Sequence, residues 1–144
     1  MIQVSKIVEY LIFVSCTIII LLITLDRNLF LLAPPYAVTA YLMIFERRVK
    51  FSKTSSVLVT YIAVIAVTTI LHFAFGRSEF SLALSIILMS AFISFTKFSH
   101  PPVIALAIFS YFTNNIFSFI ITTLVILAII FLFTALTRFI IPSN

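Results

Sequence analysis

The sequence predicts an all-α polytopic membrane protein: four long transmembrane helices plus two Pro-Pro-broken half helices, arranged as two span/half-helix/span repeats in inverted orientation. Three observations lead there. Of the 144 residues 63% are hydrophobic and 9% charged, and mean hydropathy is +1.31, which leaves too few polar groups to coat a water-soluble globule. The apolar residues gather into six runs. Two proline pairs, Pro34-Pro35 and Pro101-Pro102, stand 67 positions apart, each with a long apolar run before and after it.

The first run, Val8 to Leu25, is long enough to cross about 30 Å of hydrocarbon as one helix. It ends in Asp26-Arg27-Asn28 with no small-residue cleavage pattern, so it reads as a retained span and not as a signal peptide. It holds the lone Cys16, which can form no intrachain disulfide and reads as a small buried side chain. The second run, Leu29 to Phe45, contains Pro34-Pro35, and the fifth, Val103 to Phe112, follows Pro101-Pro102. Proline lacks an amide hydrogen and clashes with a preceding turn, so each pair belongs at the start of a helix. Both runs therefore predict half helices, tolerated at membrane depth where protein or a cavity covers the loose backbone. The third, fourth and sixth runs, Val57 to Phe75, Phe80 to Phe98 and Ile116 to Ile141, complete the four spans.

Shifting the chain by 67 lays Pro34-Pro35 on Pro101-Pro102, Ala40 on Ala107 and Phe45 on Phe112. This predicts repeats over about 8–75 and 80–141 inside a single membrane domain, 1–144, with no soluble domain. If all six runs cross, seven basic residues (Lys6, Arg47, Arg48, Lys50, Lys53, Lys97, Arg138) lie on one face and two, Arg27 and Arg77, on the other. That bias places both termini in the cytoplasm, with the cell membrane as the expected location. A rival arrangement, in which the proline segments dip in and return, splits the same charges six against three.

The stretch Lys97-Phe98-Ser99-His100-Pro101-Pro102 is the expected working centre, because a titratable ring here sits between apolar runs, where polar groups are costly. The residue before a proline is pushed out of helical geometry, so His100 marks a break and Pro101 a new helix. Free amide hydrogens and the positive dipole end would then face His100, and the matching end at Pro34-Pro35 would converge on the same anion site. An imidazole with an ordinary pKa of about 6.5 can donate a hydrogen bond to an anion or carry a proton beside it. The bland alternative is a neutral histidine capping a break. Ser99, Tyr36 and Thr39 are the nearby hydroxyls that could complete the site, although simple helix packing is the default reading of each. Lys97 adds positive field or only snorkels to the surface. His72, close to Gly76 at the end of the third run, reads as an ordinary interfacial ring. The serine pairs Ser81/Ser85 and Ser90/Ser94 read as a small-residue packing face.

The run Ser99-His100-Pro101-Pro102-Val103-Ile104-Ala105 resembles the defining motif of the HPP family of integral membrane proteins. Leu31 to Val38, with Ala33-Pro34-Pro35-Tyr36, is similar to that family's first conserved stretch. The resemblance covers about residues 15 to 140. It implies four membrane-spanning helices and transport of small solutes, with members in cyanobacteria and chloroplasts linked to nitrite. Some relatives carry a soluble regulatory domain for which this chain ends too soon. The chain departs in having one glycine, Gly76, and bulky Val103-Ile104 directly after the motif.

Four acids, two histidines and one cysteine, with no metal-ligand spacing, glycine-rich phosphate loop or nucleophile grouping, point away from an enzyme, a metal or a cofactor. The net charge of +5 is explained by topology, so no nucleic-acid partner is expected. The expected function is a channel or secondary transporter for a small monovalent anion such as nitrite, acting in the lipid bilayer as a homo-oligomer. A neutral-solute pore and a non-transporting subunit of a membrane complex are the alternatives.

Overall fold

A computed structural model describes residues 2–142 as a bundle of six helices: α1 (Ile2–Asp26), α2 (Ala33–Ile44), α3 (Thr54–Phe75), α4 (Glu79–Phe95), α5 (Pro102–Ser110) and α6 (Ile116–Ile140). Short 3₁₀ turns, Phe30–Leu32 and Lys50–Ser52, precede α2 and α3, and there is no strand among the described residues. Residues 1, 143 and 144, and with them the extreme termini assigned above to the cytoplasm, lie outside the described residues.

Each boundary has a local cause. α1 stops where Asn28 takes a left-handed conformation (φ 55°), which asparagine tolerates better than most residues. α3 stops at Gly76 (φ 64°), whose amide bonds back to the His72 carbonyl at 3.0 Å. Ser78 opens α4 by accepting the Ser81 amide at 3.2 Å, and Asn115 opens α6 by accepting the Phe117 amide at 2.9 Å.

Three helices, Val4–Asp26, Thr54–Phe75 and Ile116–Ile140, are long and apolar enough to cross a membrane. The expected fourth span is shorter than its apolar run: α4 has 17 residues and ends at Phe95, not Phe98. Thr96 is extended (ψ 167°) and its Oγ1 bonds the backbone of Phe98, so the chain leaves helical geometry several residues ahead of Pro101. The proline helices are half helices: α2 has 12 residues and α5 has 9, or about 18 and 14 Å against about 30 Å of hydrocarbon.

The two short helices sit inside, α2 packed on α1, α5 and α6, and α5 on α4, α3 and α2. The core is Tyr36, Tyr61, Leu106, Phe119, Ile126 and Ile130 with their neighbours, while Phe95, Phe139 and Leu132 stand on the apolar outer surface. At one end of the bundle Arg47 ties α1 to α6, pairing with Glu9 and donating to the carbonyls of Ile44 and Ile141 at 2.9 Å each. Toward the other end Arg77 donates to the Tyr111 carbonyl at 2.7 Å, closing the C-terminus of α5.

Since Glu9 and Ile141 meet at Arg47, the far ends of α1 and α6 lie opposite. Single cysteines in a Cys16→Ser background should therefore label from one face at positions 28 and 114 and from the other at positions 48 and 53. Labelling of 28 and 53 from the same face would contradict a crossing α2.

Candidate functional site

The site is built on the break before α5. The chain leaves helix at Thr96, Pro101 keeps His100 out of helical geometry, and this stretch carries Ser99 and His100 into the interior while Lys97 stays exposed, its ammonium 5.2 Å from the Phe98 ring centroid. His100 is fully buried. Its Nδ1 lies 2.7 Å from the Phe51 carbonyl in the turn before α3, and its Nε2 lies 2.9 Å from Thr39 Oγ1 on α2. A carbonyl only accepts, so Nδ1 carries hydrogen and fixes the ring's tautomer.

Thr39 is the hub. Its Oγ1 accepts from the Tyr61 hydroxyl of α3 at 2.9 Å and also lies 3.0 Å from the Pro35 carbonyl. One hydroxyl hydrogen serves one strong acceptor at a time. With His100 neutral, Thr39 donates to Nε2; with Nε2 protonated, Thr39 accepts from it and turns its hydrogen to Pro35. The cluster therefore accommodates both charge states of the imidazole by rotating a single O–H. Behind it, the Tyr61 ring is 6.0 Å from the His100 ring and 6.4 Å from that of Tyr36, whose hydroxyl meets Thr123 Oγ1 of α6 at 2.7 Å.

Of the residues expected at the site, His100, Thr39 and Tyr36 do share this cluster, and Ser99 is buried next to it in the chain. The prolines do not. Pro101 and Pro34 are exposed and Pro102 half-buried, and Pro34 lines an apolar cleft of about 350 Å³ between α1 and the start of α2. Pro35 is buried and contributes its carbonyl. The expected convergence of two positive helix ends is corrected here. His100 bonds Thr39, in the middle of α2, and Phe51, beyond its end, while the turn before α2 packs on α5. The two half helices thus run antiparallel, side by side. Their starts also lack spare donors: prolines have none, and the amides of Ala33, Val103 and Ile104 bond to Phe30, His100 and Pro101.

Sequence reasoning missed Tyr61, Thr123 and the Phe51 carbonyl. Tyr61 and Thr123 could have been noticed as polar tips within apolar runs, but nothing in their spacing places them against residues of other helices. Among the described residues no three His, Cys, Asp or Glu side chains group as metal ligands.

Residues 2–141 match the family model described as "HPP, transmembrane region". No curated protein matches the chain, and no solved structure does.

Thr39→Val should be the most damaging substitution in the cluster. It leaves the Tyr61 hydroxyl and one His100 nitrogen buried without partners, at roughly 1–3 kcal/mol each. Tyr61→Phe removes one donor and leaves Thr39 bonded to His100, and Thr39→Ser keeps the hub. Thermal unfolding in detergent should rank them Thr39→Ser, Tyr61→Phe, Thr39→Val in falling stability; a Thr39→Val protein as stable as wild type would contradict the network.

Proposed function

We propose, from the premise that the chain belongs to the HPP transmembrane family, that it moves a small monovalent anion, nitrite being the first candidate, across the cell membrane past His100. The chain is an integral membrane protein, and family membership makes a transport role plausible. One observation carries the finer reading: His100 is fully buried, and its partners satisfy it in either charge state.

An anion in a low-dielectric interior needs a countercharge. Protonated His100 supplies it, and Thr39 follows by turning its hydrogen to Pro35. The imidazolium and anion then form a neutral pair, so transport of one proton with one anion costs little electrostatic work. Fixed acids would oppose this, and they stand away from it: Asp26, Glu46 and Glu79 are exposed, and Glu9 is paired with Arg47. Catalysis has no comparable support, and we assign none.

Two further features support a pseudo-symmetric arrangement of inverted repeats. The packing of α1 on α2 and α6, and of α2 on α6, is matched by that of α4 on α5 and α3, and of α5 on α3. The carbonyls capped by arginine, Ile44 and Tyr111, are 67 positions apart, the same offset as the proline pairs. With the basic excess facing the cytoplasm, both termini lie there. α1 is the least buried of the three long helices, so we assign a homo-oligomer with α1 toward the lipid or a neighbouring copy.

Proteoliposomes should take up nitrite, faster with an acidic exterior, and His100→Ala should slow uptake at least about tenfold while the protein stays folded by thermal melting. Unchanged uptake in that variant would remove His100 from the mechanism. Osmotic swelling without nitrite uptake would favour a neutral-solute pore, and no flux alone with co-purification of a larger complex would favour a subunit role.

A further inference from the structure

We propose that the seam between α3 and α4, closed by the C-terminal cap of α5, is a second polar station that binds a small anion toward the opposite end of α5 from His100. It rests on the transport reading only for the choice of anion. Most hydroxyls in these helices return their hydrogen to their own backbone: Thr17 to Phe13 (2.9 Å), Thr60 to Ser56 (2.6 Å), Thr68 to Val64 (2.6 Å) and Thr134 to Ile130 (2.8 Å). Thr69 on α3, Ser85 on α4 and, apart from them, Thr122 on α6 do not. Their Oγ atoms are buried without a hydrogen-bond partner, as is Nε2 of His72.

Thr69, His72 and Ser85 belong to the two helices of this seam. α3 and α4 form an antiparallel hairpin across residues 76–78, which places Thr69 and His72 at about the height of Ser85 and Ser81. Ser85 is fully buried, so it faces the helices packed on α4, chiefly α3 and α5. Tyr111, at the end of α5, joins the two sides: its ring centroid is 4.2 Å from that of His72 and its hydroxyl is 2.7 Å from Ser81 Oγ. Arg77 brings a guanidinium to the same cap through the Tyr111 carbonyl. Glu79, the nearest acid in the chain, is exposed on the first turn of α4.

Buried polar groups are nearly always satisfied, and orphans along one seam point to a partner that the protein chain does not supply. Two hydroxyls are donors to a small anion, and so is His72 Nε2 in the tautomer that puts the hydrogen there, with Arg77 as the nearby countercharge. His100 and Tyr111 bracket α5, whose 9 residues span about 14 Å. Two sites spaced by one half helix suit a path in which an ion binds, leaves and binds again.

The test uses full-length protein in detergent, lacking the first site. Melting temperature of His100→Ala is measured as sodium nitrite replaces sodium gluconate at fixed ionic strength, and compared with His100→Ala carrying Ser85→Ala and His72→Phe, which keeps an aromatic ring against Tyr111. The expected result is a nitrite-dependent rise of a few degrees in His100→Ala that is abolished in the triple variant. No rise in His100→Ala, or a rise that survives in the triple variant, overturns the second station. Neither outcome alters the effect of His100→Ala on flux, which alone decides the first.

Discussion

An imidazole buried in a membrane must have both nitrogens satisfied, and here that requirement falls on one threonine hydroxyl and one backbone carbonyl. The Thr39–His100 bond joins the middle of one half helix to the start of the other, and the Phe51 carbonyl joins the same ring to the turn before α3. A buried polar contact of this kind fixes register because the alternatives leave groups unpaired. Apolar packing alone tolerates sliding. The bonding demands of this side chain therefore add to apolar packing in setting how α2, α3 and α5 meet, and they set the chemistry available at the junction.

The proline pairs contribute in a way opposite to the usual helix-end anion site. A helix start ordinarily offers unbonded amides. Two prolines in the first turn remove two donors, and short-range bonds at Ala33, Val103 and Ile104 use the next ones. What the prolines provide is a break: a backbone that stops being helical at Phe95, passes through the non-helical residues up to His100 and resumes at Pro102. The same economy holds at the other ends of the half helices, where arginines 47 and 77 close the carbonyls of Ile44 and Tyr111. Short helices inside a membrane are sustained because both of their ends are closed.

Much of this was legible in the chain. Six apolar runs became six helices, and the X-Pro restriction showed that a break precedes Pro101, although the helix before it ends earlier, at Phe95, and the next begins at Pro102. Tyr36, Thr39 and His100 were identifiable because a polar group in an apolar run is conspicuous. What stayed hidden depends on contacts between distant segments. Tyr61 and Thr123 meet their partners across 22 and 87 positions, and the Phe51 carbonyl belongs to a backbone group that no side-chain pattern marks. The meeting of helix ends failed as an expectation because dipole reasoning concerns one helix at a time, and the antiparallel packing of α2 on α5 is a property of the pair. His72 read as an interfacial ring since its unpartnered nitrogen appears only once α4 and the end of α5 are in place.

The most direct measurement uses the fact that the chain has only two histidines. In protein labelled with ¹⁵N-histidine and held in lipid nanodiscs, His72→Phe leaves His100 as the single imidazole signal. The account predicts a hydrogen-bearing Nδ1 and a shift of the Nε2 resonance when nitrite is added at mildly acidic pH. An Nδ1 without hydrogen, or an Nε2 resonance indifferent to nitrite up to saturating flux, would contradict it.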